Sequence, residues 1–150
     1  MTQSEALPVI ATRKYPQMTA DESNIARAWL LQHWQELDRI DFNHQLGNSV
    51  EIPDGTDEAT RRQAEASSKK RADLIAWHGD EATIVEVKPR LYLAALGQLL
   101  GYQLLFHLEH PEVKTVHLVA IARDATPDAK ELLIAHGVHV ELFPNVPRTV

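Results

Sequence analysis

The sequence predicts an α/β fold in which a mixed central sheet is flanked by helices, and three observations lead to this class. Two short β-branched stretches are separated by a turn, which predicts an antiparallel hairpin. Two later apolar strands each follow a helical stretch, and parallel strands need such crossovers. The chain has 150 residues and is 44% hydrophobic, enough for one domain with a real core. The predicted element order is therefore αβββαβαβ.

The N-terminal third of the chain predicts an arm, a helix and a strand. Residues 1–18 contain two prolines and predict an irregular arm, which leaves a single domain over residues 19–150. Thr19 and Glu22 have the spacing of a capping box, and apolar residues then recur at helical intervals toward Leu37. Residues 42–52 predict a strand, which ends at a Pro-Asp-Gly turn.

The remaining elements have clearer patterns. Strands are predicted over residues 72–77 and 82–88, and a long apolar helix without an interior proline over residues 92–110 is expected to be largely buried. A further strand, a helix and a last strand follow, at residues 114–122, 126–136 and 138–143. Pro127 opens the last helix and Gly137 ends it, which is the usual asymmetry of helix ends.

Composition limits the possible functions. No apolar run reaches the length of a membrane span, and the first residues lack the features of a secretory signal, so we expect a soluble, cytoplasmic protein without a membrane partner. The chain has no cysteine, so any metal must be held by oxygen or imidazole. The eight histidines lack the paired helical spacing of zinc hydrolases. The chain has no glycine-rich phosphate loop either, which argues against a built-in ATPase.

Three charged residues of the predicted hairpin form a possible metal site. Glu86 and Lys88 alternate on one strand and so share a face, whereas Val85 and Val87 face the other way. Asp73 begins the preceding strand, and hairpin pairing can bring it beside Glu86. Two carboxylates, with the Val87 carbonyl as a further ligand, suit Mg²⁺ or Mn²⁺. A structural Glu-Lys ion pair is the simpler alternative for these residues.

The same residues resemble a known superfamily. Asp73, a gap of twelve residues and then Glu86-Val87-Lys88 resemble the motif of PD-(D/E)XK nucleases, with Ala72 in place of the proline. Gln98 and Tyr102 fit the Gln-x-x-x-Tyr pattern of the RecB-like branch. The resemblance covers roughly residues 20–143.

This resemblance implies a fold and a set of roles. The fold is a restriction-endonuclease-like αβββαβ core with an additional C-terminal helix and strand. Asp73, Glu86 and Lys88 are the expected catalytic centre, and Gln98 and Tyr102 are expected beside the metal, in contact with nucleic acid. Family members often carry an acidic metal ligand on the first helix, and Glu22 is the candidate here, although capping explains it equally well.

Nucleic acid is the expected partner, although the formal net charge is −6. Positive charges are concentrated before Asp73, where Lys69, Lys70 and Arg71 are candidate phosphate contacts, and Arg90 is another. Trp77 ends a predicted hairpin strand, and Tyr92 begins the helix that follows Lys88. For both aromatic residues we expect packing against the protein rather than stacking on a base.

The sequence thus predicts a Mg²⁺- or Mn²⁺-dependent nuclease acting most plausibly on DNA, in phage biology, repair or defence. A homodimer is possible. One alternative is a catalytically silent nucleic-acid-binding or assembly module that keeps the fold, which the acidic charge favours. Another is an unrelated α/β scaffold with a structural ion pair.

Overall fold

A five-stranded mixed sheet forms the centre of the molecule. The computed structural model describes residues 14–46, 54–59 and 71–149. The sheet order is β1-β2-β3-β5-β7, and its strands are β1 (Arg39–Gln45), β2 (Arg71–His78), β3 (Glu81–Val87), β5 (Thr115–Ala122) and β7 (Val138–Leu142). The predicted mixed sheet flanked by helices is confirmed.

The first three strands of this sheet form an antiparallel meander. The turn between β2 and β3 contains Gly79 at φ 56°, a left-handed conformation that glycine adopts without steric cost. The Asp38 carboxylate accepts a hydrogen bond from the Gly79 amide at 2.6 Å and so fixes this turn. Strand β1 begins at Arg39 rather than at residue 42, and most of the rest of its predicted span, residues 47–52, lies outside the described residues.

The last two strands run parallel to β3 and are reached through crossover helices. Helix α2 (Ala94–Glu109) connects β3 to β5, and helix α3 (Pro127–Ala135) connects β5 to β7. The Thr126 hydroxyl accepts from the Ala129 amide at 3.4 Å and caps α3. Gly137 follows α3 at φ 79°, as the sequence predicted for its end.

Helix α1 (Ala20–His33) covers one face of the sheet and begins with the predicted capping box. The Thr19 amide donates to Glu22 Oε1 at 2.9 Å, and the Glu22 amide donates to Thr19 Oγ1 at 3.1 Å. A short 3₁₀ turn, Trp34–Glu36, extends the helix. The core beneath α1 joins its apolar face to inward residues of the strands, among them Ile25, Trp29, Leu30, Leu74, Val85, Val87 and Ile121. Tyr15 and Met18 of the N-terminal arm belong to the same core.

Helix α2 covers the opposite face, but the expectation that it is largely buried was wrong. Only one of its faces meets the sheet, through Ala95, Leu99, Tyr102 and Phe106. Leu93, at its N-cap, and Leu100, Leu104 and Leu108 on the helix are 48%, 38%, 63% and 66% exposed. Apolar residues surround this helix on several sides, so its pattern alone does not reveal which side is covered.

Two details at the carboxyl end of the central strands complete the fold. Strands β4 (Arg90–Leu91) and β6 (Asp124–Ala125) form a separate parallel pair that was not predicted, since two residues carry no periodicity. Buried Arg123 joins the C-terminal segment to helix α1: its guanidinium binds the Asp21 carboxylate and the carbonyls of Val146 and Pro147. No helix in the described part of the chain is long and apolar enough to cross a membrane.

Candidate active site

Strand β3 presents Glu86 on the sheet face that α2 covers. Ile84 points to the same side and packs in the core beneath α2, whereas Val85 and Val87 pack beneath α1. This alternation follows from the two-residue repeat of a strand. The predicted separation of Glu86 from the two valines is therefore present.

Asp73 lies where strands β2 and β3 separate. Their pairing ends at Leu74 and Val85, after which β2 continues along β1 and β3 continues along β5. The Asp73 side chain bridges the resulting gap, because its Oδ2 accepts a hydrogen bond from the Val87 amide at 2.9 Å. A carboxylate thus replaces a main-chain ladder partner at this position.

The two carboxyl groups are buried close together, and their ionisation is correspondingly unfavourable. Burial, and then the negative charge of Asp73, raise the pKa of Glu86 to about 8, although Lys88 opposes the shift. Burial also raises the pKa of Asp73, against the Val87 hydrogen bond and the Lys88 charge. Glu86 is only 2% exposed, and its Oε2 has no hydrogen-bond partner among the described residues. Such an oxygen is costly to bury unless something coordinates it.

Lys88 supplies a positive charge at the mouth of this site. Its Nζ lies 3.3 Å from Glu86 Oε1, and its side chain is 36% exposed, so the ammonium contacts the buried carboxylate and solvent together. The backbone is fixed by the Lys88 amide, which donates to the Ile121 carbonyl at 3.1 Å. One cation therefore faces two carboxyl groups.

Helix α2 brings Tyr102 to the same place. The side chain is 6% exposed, and burial followed by the charges of Glu86 and Asp73 raises the pKa of its hydroxyl above the usual range. The hydroxyl therefore remains protonated beside the carboxylates. Gln98 is half-buried one turn earlier on the same helical face.

Glu22 lies close enough to act on the site electrostatically. Its charge contributes to the raised pKa of Asp73. Its Oε1 also completes the capping box with the Thr19 amide, so the side chain serves helix α1 in any case.

The predicted phosphate contacts are only partly described. Lys69 and Lys70 lie outside the described residues. Arg71 is exposed, and its guanidinium binds the Gln45 side chain at 3.0 Å and the Asn43 carbonyl at 3.3 Å. Arg90 lies 3.6 Å from the Asp124 carboxylate.

A groove of about 460 Å³ opens beside Lys88. It is lined by four cationic side chains, Lys88, Arg90, Arg123 and Arg148, together with Pro89, Tyr92 and the acidic Asp21 and Asp124. Tyr92 is 57% exposed there, with the Arg90 guanidinium 5.8 Å from its ring centre. Sequence reasoning missed Arg123 and Arg148, because only the fold brings the end of the chain to this groove.

Trp77 is half-buried and packs against the core beneath α2, as its sequence context favoured. Its ring contacts Phe106 and His110 beneath α2, and its Nε1 donates to Asp41 Oδ2 at 3.0 Å. Trp77 thus takes part in packing, whereas the ring of Tyr92 is exposed.

Comparison with known proteins finds a similar fold in two solved structures. No family model and no curated protein sequence matches the chain. A repair endonuclease from Pyrococcus abyssi superimposes with a TM-score of 0.55 at 17% identity, covering 91% of this chain and 50% of the endonuclease. The structure of the EndoMS-dsDNA2 complex gives 0.50 at 15% identity, with 92% and 51% covered. The chain therefore spans about half the length of both, and at these identities the likeness concerns the fold.

Proposed function

We propose that this protein is a Mg²⁺- or Mn²⁺-dependent nuclease that hydrolyses phosphodiester bonds, with DNA as its substrate. The observation that carries the proposal is the buried pair Asp73 and Glu86 with Lys88 beside it, at the point where two strands separate. Buried like charges cost stability, so this arrangement calls for a function that uses it.

The donor groups fit a hard divalent cation. Asp73 and Glu86 would hold it, and the unpartnered Oε2 of Glu86 is the oxygen that most needs a ligand. The Val87 carbonyl would add a third oxygen, and Glu22 would contribute by charge or through a water. When bound, the cation polarises a phosphoryl oxygen and lowers the pKa of a coordinated water.

The chain's own residues would position and stabilise the reacting phosphate. The Lys88 ammonium is exposed to solvent and lies 3.3 Å from Glu86 Oε1, so it could contact the phosphate group of a bound phosphodiester. Its fixed charge would stabilise the negative charge that grows on phosphorus in the transition state. Asp73 would be kept in place by the Val87 amide during the reaction.

Gln98 and Tyr102 would complete the site from helix α2. The protonated Tyr102 hydroxyl is a donor beside the carboxylates, and Gln98 is half-buried one turn earlier on the same helix. We propose that both contact the nucleic acid, as the Gln-x-x-x-Tyr pattern of the RecB-like branch implies.

The groove beside Lys88 is the proposed path of the nucleic-acid backbone. Arg90 and Arg148 lie along it and would bind phosphates, and Tyr92 offers an exposed ring to a base. Arg71, Lys69 and Lys70 would extend the contact on the β2 side. This local concentration of positive charge offsets a net charge of −6.

We propose DNA rather than RNA as the substrate because one similar structure is described as a repair endonuclease and the other as a complex with dsDNA. The chain spans about half of each of these structures. We also propose that two copies pair, and that the protein acts in repair, phage biology or defence.

The acidic net charge also favours a second candidate, a silent nucleic-acid-binding or assembly module with the same fold. The two candidates differ in whether divalent cations make the protein cut its substrate. The test incubates purified protein and Mn²⁺ with labelled linear, circular and single-stranded DNA and with RNA, with EDTA and Lys88→Ala as controls. Cleavage of DNA that EDTA and Lys88→Ala both abolish is expected; binding without cleavage would establish the second candidate.

A further inference from the structure

A second group of possible metal ligands lies at the other end of helix α2. His44, Glu109 and His110 each offer one ligand atom, and these atoms all lie within 4.8 Å of one another. All three side chains are half-buried. The group joins the end of strand β1 to the end of α2. Glu109 follows Tyr102 by seven positions, which correspond to roughly 10 Å along the helix. None of its three residues belongs to the Asp73–Glu86 pair, although His44 pairs across the strands with Ala72, the neighbour of Asp73.

The backbone of β1 turns His44 toward this group. Phe42 packs in the core beneath α1, and strict alternation would place His44 on that same face. Asn43 between them has φ 51°, a left-handed conformation that few residues other than glycine and asparagine adopt. The His44 ring consequently lies 6.3 Å from the His110 ring, on the α2 side. The unfavourable backbone conformation of Asn43 thus accompanies the orientation of the His44 imidazole toward His110.

His110 is held as metal-binding histidines usually are. Its Nδ1 lies 3.2 Å from Glu112 Oε1. In the tautomer in which Nδ1 donates to this carboxylate, Nε2 carries the lone pair that an ion would use. The Phe106 ring packs on the imidazole at 4.7 Å between ring centres, and Trp77 meets it edge-on at 5.9 Å. Carboxylate and rings together restrict its orientation before any ion arrives.

We propose that His44, Glu109 and His110 bind one transition-metal ion of intermediate hardness, and that this ion is Zn²⁺. Two imidazoles and one carboxylate are the ligands that suit Zn²⁺ rather than Mg²⁺. Three protein ligands leave one tetrahedral position to a water. The ion ties the C-terminal end of α2 to strand β1, at the edge of the sheet.

The test is a titration of EDTA-stripped, dialysed protein with Zn²⁺ alone. We expect one equivalent to bind in the Asp73→Asn/Glu86→Gln double variant, which no longer offers the proposed carboxylate site, and at least that equivalent to bind in wild type. Co²⁺ in its place should give the visible spectrum of a site with nitrogen and oxygen ligands. Introduced into that double variant, His44→Ala and His110→Ala should each weaken Zn²⁺ binding at least about tenfold. The matched control is His107→Ala, which removes an exposed imidazole from the same helix.

Glu109→Gln keeps the size of the side chain and removes its charge. This variant replaces a histidine variant in the titration if circular dichroism shows that the histidine variant does not fold. It should also weaken Zn²⁺ binding. Wild-type affinity in His44→Ala and His110→Ala, or in Glu109→Gln, would overturn the proposal. So would loss of the Zn²⁺ equivalent in the Asp73→Asn/Glu86→Gln variant, because the ion would then belong to the other site. Neither readout involves cleavage, so the result is independent of the proposed nuclease activity.

Discussion

Asp73 Oδ2 accepts a hydrogen bond from the Val87 amide at 2.9 Å, across the gap where strands β2 and β3 stop pairing. The contact places one carboxylate next to another, that of Glu86, in a part of the sheet where main-chain pairing would otherwise continue. The site therefore interrupts the regular sheet, and it buries two carboxyl groups whose ionisation is unfavourable. Stability and activity should respond oppositely when it is neutralised.

Glu86→Gln is expected to stabilise the metal-free protein while abolishing cleavage. Because the pKa of Glu86 is raised to about 8, the folded protein holds a proton that the unfolded chain releases near pH 4.5. The free energy of unfolding in EDTA should therefore fall as the pH rises from about 5 to 8, and Glu86→Gln should flatten this fall. Thermal unfolding at several pH values measures it.

The control for this experiment is Glu131→Gln, an exposed glutamate on helix α3. It should leave the slope unchanged. A pH-independent melting temperature in wild type would show that Glu86 ionises without cost, contrary to the burial described.

Tyr102→Phe is expected to lower kcat/KM roughly tenfold while leaving the melting temperature nearly unchanged. The ring fills the core beneath α2 and remains, whereas the hydroxyl next to Glu86 and Asp73 is lost. Steady-state cleavage assays measure the effect, with the exposed Tyr92→Phe as control for loss of a hydroxyl. Equal rates in wild type and Tyr102→Phe would remove this hydroxyl from the mechanism.

Neutralising the groove should weaken DNA binding in a salt-dependent way. Arg90→Ala and Arg148→Ala are each expected to reduce the slope of log affinity against log salt by about one. Neutralising Lys69, Lys70 and Arg71 together should also flatten it. Lys114→Ala, an exposed change at the opposite end of β5, is the control. Unchanged slopes in both groove variants would place the backbone path elsewhere.

Acid should weaken the attachment of the C-terminal segment to helix α1. The Arg123 hydrogen bonds hold the pKa of Asp21 below its usual value of 3.8, so the ionised pair stabilises the fold above that pH. This stability is lost as the pH falls through the lower pKa of the folded state. Asp21→Asn should reduce the melting temperature at pH 7 by roughly 2 to 6 °C.

The difference between wild type and Asp21→Asn should shrink as the pH is lowered below 3.8. Asp80→Asn, in the exposed β2–β3 turn, is the matched control and should show no such pH dependence. A difference that persists unchanged to low pH would show that the charge of Asp21 is not what matters.

Local patterns predicted those parts of the fold that local chemistry decides. The capping box of Thr19 and Glu22, the proline at the start of α3 and the alternation around Glu86 follow from near neighbours in the chain. Asp73 and Glu86 could be predicted to converge because a short turn joins their strands.

Other features depend on contacts between distant segments. The His44 group joins residues from two elements far apart in sequence, and its geometry depends on the left-handed conformation of Asn43. Arg148 reaches the groove because Arg123 anchors the C-terminal segment. The exposed leucines of α2 resemble buried ones in the sequence, since periodicity does not state which face the sheet covers.

The most direct test of the central claim combines Mn²⁺ titration calorimetry with cleavage assays on the same protein samples. Asp73→Asn retains an acceptor for the Val87 amide but loses its charge, so it should lose both Mn²⁺ binding and cleavage. Lys88→Ala should bind Mn²⁺ and yet cleave at least about 100-fold more slowly than wild type. Wild-type cleavage in either variant would contradict the account.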